Sequence, residues 1–235
     1  SALLFLIALL LRIIYGIYCN RHFEECVYHF EVDRELLKKM TGYACWGFLG
    51  NTAYMFNTQG VNIIINLFFG VALNAARGVV TQVEGAIMQF VNNFMTAITP
   101  QITKSYAAGD KSYMFTLICR GSKFSFFLLL FFLIPVEFEA QTILKLWLGI
   151  VPEYTAIFFK LSIIGTAIVL IGNTCLTSIM STGNIRNYQI VVTIVGCLVF
   201  PLTWVAYKIG WPAYITYIIY IVIYGILNWI RLLFM

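Results

Sequence analysis

The residues with the clearest capacity for chemistry form one stripe of polar side chains inside a long apolar stretch. They follow one another at steps of three or four residues: Asn74, Arg77, Thr81, Glu84, Met88 and Asn92. This spacing places them on one face of a helix. Arg77 and Glu84 are seven residues apart, or ~10 Å along the axis, which is too far for an ion pair within that helix. Each charge therefore needs a partner in another helix, in water or in a ligand.

Three further stretches carry polar or amphipathic stripes at helical spacing. Their members are Gln59, Asn62 and Asn66; then Thr166, Asn173, Thr177 and Ser181; then Tyr217, Tyr220, Tyr224 and Asn228. Four such helices predict a hydrated central cavity. Hydrogen bonding between helices is an alternative explanation for the neutral side chains. Ionisable groups inside a membrane cost ~2.5–3.5 kcal/mol each on insertion scales, which favours a functional role for Arg77 and Glu84.

The composition indicates that membrane-spanning helices position these residues. Of 235 residues, 61% are hydrophobic and 11% are charged, and the mean hydropathy is +0.87. A soluble domain is about 25% charged. The excess of apolar residues excludes a soluble enzyme, a nucleic-acid-binding module, a disordered chain and a disulfide scaffold, and predicts an all-α integral membrane protein without nucleic-acid partners.

Uncharged runs divide the chain into about seven predicted spans. Residues 40–76 carry no charge over 37 positions, and because one span needs ~20 residues, this run must contain a turn, placed at residues 70–74. The predicted spans, with a polar segment at 101–116 and a loop at 139–153, are residues 1–19, 42–68, 71–99, 117–138, 161–185, 187–207 and 209–230. Pro135 and Pro201 predict kinks. The charged segment 20–40 is predicted to be a short amphipathic helix at the membrane surface.

The basic residues predict the orientation. One set of alternate loops contains ten of them: Arg21, Arg34, Lys38, Lys39, Lys104, Lys111, Arg120, Lys123, Arg186 and Arg231. The opposite loops contain Lys145 and Lys208. The positive-inside rule therefore places the linker and the carboxy terminus in the cytoplasm. In this orientation Glu84 lies near mid-membrane and Arg77 lies nearer the outside.

No catalytic or metal-binding motif is recognised. The phosphate-binding, zinc-protease and nucleophile-elbow patterns do not occur, so we predict no catalytic residues and no cofactor. Cys19, His22, Cys26 and His29 have a zinc-like spacing. On one helix the outer two would lie ~15 Å apart, whereas the ligands of one zinc ion lie within ~2.3 Å of it. A helix with reduced cysteines is the favoured interpretation.

Several segments resemble one family of transporters. They are Gly70-Val-Ala-Leu-Asn74-Ala-Ala-Arg77-Gly78, Pro100-Gln-Ile-Thr-Lys104-Ser-Tyr-Ala-Ala-Gly109-Asp110, Arg120-Gly-Ser-Lys123-Phe, Trp147-Leu-Gly-Ile-Val-Pro152-Glu and Ser181-Thr-Gly183-Asn-Ile-Arg186-Asn-Tyr188. Together they resemble the multidrug/oligosaccharidyl-lipid/polysaccharide (MOP) exporter superfamily, which includes the MATE transporters, and within it the bacterial O-antigen (Wzx-like) flippases.

The resemblance implies an organisation of two six-helix lobes around a central cavity. Residues 1–19 would be the last helix of an amino-terminal lobe that is otherwise absent from this sequence, residues 20–40 the cytoplasmic linker, and residues 41–235 the carboxy-terminal lobe. Alternating access needs both lobes, so this chain alone is expected not to transport. The implied location is the bacterial inner membrane, with membrane lipids and the missing lobe as partners.

The resemblance also implies a substrate, an undecaprenyl-diphosphate-linked oligosaccharide for surface polysaccharide synthesis. Arg77 would bind phosphate or a sugar acid, the amide and tyrosine side chains would contact sugars, and Glu84 would bind a coupling H+ or Na+ or balance Arg77. Lys104, Arg120 and Lys123 would line the cytoplasmic mouth. A cation-coupled multidrug antiporter and a membrane polysaccharide enzyme are the alternatives, although the predicted outer loop offers few catalytic groups.

Overall fold

The computed structural model describes residues 2–23, 33–183 and 185–234, and every regular element in them is an α-helix. There are eight helices: α1 (Ala2–His22), α2 (Arg34–Ala107), α3 (Lys111–Leu148), α4 (Thr155–Ile171), α5 (Asn173–Ser181), α6 (Arg186–Cys197), α7 (Val199–Lys208) and α8 (Ile215–Leu233). By length and composition, six helical stretches of these residues could cross a membrane: α1, α2, α3, α4 with α5, α6 with α7, and α8. The described part of the chain is thus all-helical and compatible with a multi-pass membrane protein.

The longest helix contains two of the predicted spans. α2 has 74 residues and one non-helical position, Gly70, with φ 82° and ψ 178°. A side chain is disfavoured at this positive φ, whereas glycine adopts it freely. Gly70 therefore divides α2 into α2a (residues 34–69) and α2b (residues 71–107), at the beginning of the predicted turn.

Two compact units divide the chain, Ser1–Thr41 and Gly42–Met235. The first contains α1 and the beginning of α2a. There the Asp33 carboxylate accepts hydrogen bonds from the backbone N–H groups of Glu35 and Leu36, so Asp33 caps the helix. Glu35 and Lys39, four residues apart on the helix, form an ion pair at 2.9 Å. Residues 24–32 of the predicted amphipathic linker, including Cys26 and His29, lie outside the described residues.

The second unit has its core around α4, which packs against α3 and α8. α4 buries Phe158, Phe159, Ile163 and Leu170 in one cluster with residues of α2b and α3. A second cluster joins α2a to α7 and α8 through Val61, among others. The two halves of α2 therefore pack against different parts of the bundle.

The predicted loop at 139–153 is wrong over most of its length. α3 continues to Leu148 and has only one non-helical residue, Glu139. Ala140 and Leu144, one turn apart, are both about 1% exposed. Burial of this apolar face makes the segment helical despite its charges.

Two predicted spans are interrupted in the structure. The span at 187–207 is divided between α6 and α7 at Leu198, three residues before Pro201. Since a proline ring clashes with the carbonyl group four residues earlier, Pro201 accounts for this break. The span at 161–185 is divided at Gly172, between α4 and α5. The carbonyl groups freed there accept hydrogen bonds from other helices: Ile168 from the Asn228 amide and Ile171 from the Ser122 hydroxyl.

Candidate functional site

A cavity of about 530 Å³ lies inside the second unit. Its wall is formed by α2a, α2b, α4, α5, α6 and α8, with Val199 of α7. Among the residues that the structure describes, three charged ones line it: Arg77 and Glu84 from α2b, and Arg231 from α8. Two guanidinium groups and one carboxylate leave its lining with a formal charge of +1.

Glu84 is held against α4 by two hydroxyl groups. Ser162 donates to Oε2 at 2.7 Å and Thr166 to Oε1 at 2.9 Å. Because Ser162 and Thr166 are four residues apart on one helix, they reach both oxygens of the same carboxylate. The half-buried carboxylate therefore has hydroxyl partners and forms no ion pair within the described residues.

Arg77 has a different environment. Its Nη1 atom is buried and has no hydrogen-bond partner among the described residues. The spacing of Arg77 and Glu84 predicts no ion pair between them within the helix. Among the described residues none is present, and the one salt bridge there joins Lys39 to Glu35. A buried donor without an acceptor is costly, so an anionic or polar ligand in the cavity would relieve this cost.

Aromatic rings form much of the α8 wall. Tyr217, Tyr220 and Tyr224 all line the cavity, in agreement with their predicted common face. The Tyr220 and Tyr224 ring centroids are 4.1 Å apart, and the Tyr217 ring lies 5.1 Å from that of Phe158. These rings provide flat, amphipathic surfaces inside the cavity.

The amide stripe predicted on α2a does not line this cavity. Gln59 and Asn66 are exposed, and the half-buried Asn62 donates to Gln59 at 3.3 Å. The cavity wall contains Asn57 instead, whose amide donates to the carbonyl of Gly196 at 3.2 Å and whose Oδ1 is buried without a partner in the described chain. Asn57 and Gln59 differ by ~200° around a helix with 3.6 residues per turn, so they point in nearly opposite directions.

The ends of the α2b stripe also lie outside the main cavity. Asn74 is half-buried and does not line it. Asn92 is exposed and lines a second, more open cavity of about 470 Å³ with Asn173 and Thr177. Leu176 lines both cavities.

The three bases predicted at the cytoplasmic mouth lie on the surface. Lys104, Arg120 and Lys123 are exposed and line neither cavity. The Lys123 Nζ atom lies 5.9 Å from the centroid of the Phe127 ring. Their role at a mouth stays a prediction.

The position of Arg231 differs from the prediction, which places this residue among the bases of the cytoplasmic loops. Arg231 lies inside α8 and is 6% exposed. Its Nε donates to the Tyr188 hydroxyl and its Nη1 to the Asn228 Oδ1, both at 3.2 Å. It follows Tyr224 by seven residues, on the same helical face, and this spacing is the signal that could have identified it.

Among the described residues, no group of three or more His, Cys, Asp or Glu side chains is placed to hold a metal ion. No family model, curated protein or solved structure matches this chain.

Proposed function

We propose that the chain is the carboxy-terminal lobe of a two-lobe exporter of the MOP superfamily, located in a bacterial inner membrane. Its cavity would hold the diphosphate and first sugars of an undecaprenyl-diphosphate-linked oligosaccharide during transfer between leaflets. The observation that carries this proposal is one cavity among the apolar helices that combines a positively charged lining with a row of tyrosine rings.

The charge of the cavity supports an anionic substrate. Arg77 presents a buried Nη1 donor without a partner in the described residues, and a guanidinium group is well suited to bind phosphate oxygens with two donors. A lipophilic cation would meet two guanidinium groups and one carboxylate. This balance favours the sugar-lipid substrate over the drug of a multidrug antiporter.

The size and chemistry of the wall support a headgroup. A volume of about 530 Å³ lies within the ~300–1,000 Å³ that is usual for ligand sites. The tyrosine rings and the amide of Asn57 offer stacking surfaces and hydrogen bonds to sugars. The lipid chains would stay outside, in the membrane.

Glu84 is the one carboxylate of the cavity lining. Its contact with Ser162 and Thr166 joins α2b to α4. Binding of H+ or Na+ at this carboxylate would change both the charge of the cavity and a contact between two helices. We therefore assign Glu84 as the coupling-ion position of the proposed exporter.

The test is transport by the natural full-length protein in vesicles. Translocation of an undecaprenyl-diphosphate-linked oligosaccharide is measured beside export of tetraphenylphosphonium, a lipophilic cation. We expect sugar-lipid translocation by wild type and a decrease of about tenfold or more for Arg77→Gln, because a charge-assisted hydrogen bond is lost. Lys111→Gln, which removes an exposed cation outside both cavities, is the matched control and should transport like wild type.

Two outcomes would contradict the proposal. One is an Arg77→Gln variant that translocates at the wild-type rate. The other is export of the lipophilic cation without any movement of the sugar-lipid, which would assign the protein to the drug antiporters.

A further inference from the structure

We propose that Arg231, with Tyr188 and Asn228, forms a second anion-binding position in the same cavity, which takes the same diphosphate chemistry as Arg77 at a different depth. This inference rests on the proposed function, since it concerns the path of the same substrate. It adds a residue to that path and predicts that the anion occupies two positions in succession.

The first argument is the hydrogen bonding of the Arg231 side chain. A guanidinium group has five N–H donors. Hydrogen bonds within the described residues engage two of the five: Nε with Tyr188 and Nη1 with Asn228. These bonds orient the guanidinium plane at the cavity wall. The other three N–H donors of the planar guanidinium group are in a geometry that can bind two oxygens of a phosphate group.

The second argument is charge. Tyr188 and Asn228 are neutral, and Arg231 has no carboxylate within ion-pair distance in the described chain. The carboxy-terminal ends of α8 and α4 offset part of the buried charge, as helix dipoles do. The lining nevertheless keeps a formal charge of +1 after Glu84 is counted. An anion entering the cavity would neutralise this excess.

The third argument is position along the cavity. Tyr217 lies within electrostatic range of both Arg77 and Glu84, so it marks the level of these residues on α8. Arg231 lies fourteen residues further along α8, or ~21 Å along the helix axis. Tyr220 and Tyr224 line the wall between these two levels. This separation is between backbone positions on α8; because a diphosphate is much shorter, we expect it to contact the two guanidinium groups in succession.

The glycine at the α4–α5 break provides the space for this arrangement. A Cβ atom on Gly172 would lie 2.1 Å from the Asn228 Oδ1 and 2.5 Å from the Arg231 Nη1. Both polar groups therefore approach the backbone at a point where a side chain would displace them. The absence of a side chain at Gly172 therefore leaves room for Asn228 and Arg231 to form the hydrogen bond that orients the guanidinium group.

The experiment measures the contribution of Arg231 in a protein that lacks the guanidinium group of Arg77. Three full-length proteins in lipid nanodiscs are compared: Arg77→Gln alone, Arg77→Gln with Arg231→Lys, and Arg77→Gln with Arg231→Gln. Binding of inorganic pyrophosphate and of undecaprenyl diphosphate is titrated in each. We expect affinity to decrease in the order Arg, Lys, Gln, with Arg231→Gln weaker by about tenfold or more because the charged fork is lost. Lys111→Gln in the same background is the control and should not change the affinity, because Lys111 is exposed and lines neither cavity.

The two ligands distinguish the source of the diphosphate. A lipid headgroup as the natural source predicts much tighter binding of undecaprenyl diphosphate, and a soluble diphosphate predicts equal binding of both; either result with the expected order supports the position. Equal affinities with Arg, Lys and Gln at position 231, or no binding once Arg77 is replaced, would overturn it. If Arg231→Gln does not fold, the comparison of Arg with Lys decides.

The outcome is separable from that of the proposed function. Loss of all binding in Arg77→Gln alone refutes the second position and leaves the cavity as an anion site. Wild-type affinity after replacement of both arginines would refute the anion site itself, and with it the proposed substrate.

Discussion

The two arginines of one cavity differ in how the protein holds them. Arg231 is 6% exposed, and neutral side chains from α6 and α8 orient its guanidinium group. Arg77 is half-buried, and its Nη1 has no hydrogen-bond partner in the described residues. The hydrogen bonds of Arg231 fix the geometry of its guanidinium group. Arg77 gains more binding free energy from a ligand, because a ligand would supply the hydrogen-bond acceptor that its Nη1 lacks among the described residues. One residue type can therefore provide two anion-binding positions in the same cavity, one with a guanidinium group oriented by the protein and one with a free donor.

The break between α4 and α5 is the feature that most strongly distinguishes the Arg231 end. Gly172→Ala would place a Cβ atom within 2.1 Å of Asn228 Oδ1 and so disrupt the contacts of Asn228 with Ile168 and Arg231. We expect a loss of ~1–3 kcal/mol in the free energy of unfolding, the usual effect of leaving buried polar groups without partners. In the Arg77→Gln background we also expect loss of the remaining pyrophosphate binding. Both are measured in nanodiscs, by thermal unfolding and by titration.

Gly225→Ala is the matched control for this substitution. Gly225 lies on α8, and a Cβ atom there would meet nothing within 4 Å. Alanine at this helical position should be neutral or stabilising by ~0.5–1 kcal/mol. Equal stability and equal binding of the two alanine variants would show that Gly172 does not set the position of Arg231.

A smaller effect of opposite sign is expected at the carboxylate. Glu84→Gln removes the one negative charge of the lining and raises its formal charge from +1 to +2. The Glu84 carboxylate and an anion ~10 Å away interact by ~0.8 kcal/mol at an effective dielectric constant of ~40, which lies between the values for a protein surface and bulk water. Pyrophosphate affinity should therefore rise several-fold, as measured by titration at constant ionic strength.

The sign of this change separates two roles for Glu84. A several-fold decrease in pyrophosphate affinity would mean that the carboxylate positions the ligand or shapes the wall, and it would contradict the charge argument. Lys111→Gln provides a comparison outside the cavity, because Lys111 is exposed and lines neither cavity, so its charge is screened by solvent. It should leave the affinity within about twofold of wild type.

The sequence predicts the helical membrane character well, because hydrophobic runs longer than a bilayer leave few other structures. The turn beginning at Gly70 follows from the length of one uncharged run. The helical break at Leu198 follows from the backbone restrictions of Pro201. In each case the physical cause acts within a few residues, so the sequence alone contains it.

The cavity is only partly predictable for the opposite reason. The middle of the α2b stripe, from Arg77 to Met88, and the three tyrosines of the α8 stripe line the cavity, since charged and aromatic residues recur there at helical spacing. The cavity is not lined by the ends of these stripes, Asn74, Asn92 and Asn228. On α2a the abundance of amides at Gln59, Asn62 and Asn66 indicates a face nearly opposite to the one that lines the cavity. Which face of a helix turns inward depends on packing against α6 and α8, and this information is distributed across distant segments of the chain.

Arg231 shows a related limit. A base near the end of an apolar run has the same sequence signature whether it lies in a loop or is buried, and the positive-inside rule assigns it to the loop. The partners that make burial tolerable, Tyr188 and Asn228, lie on two helices, one of them 43 residues away along the chain. No local pattern links them.

The most direct test of the central claim is the charge selectivity of the cavity. Full-length wild-type protein in nanodiscs is titrated with three ligands: the undecaprenyl-diphosphate-linked oligosaccharide, a matched lipid-linked oligosaccharide without phosphates, and tetraphenylphosphonium. The account predicts that the diphosphate form binds at least about tenfold more tightly than its neutral analogue, and that the cation does not compete. Equal binding of the two sugar-lipids, or displacement of the diphosphate form by the cation, would contradict it.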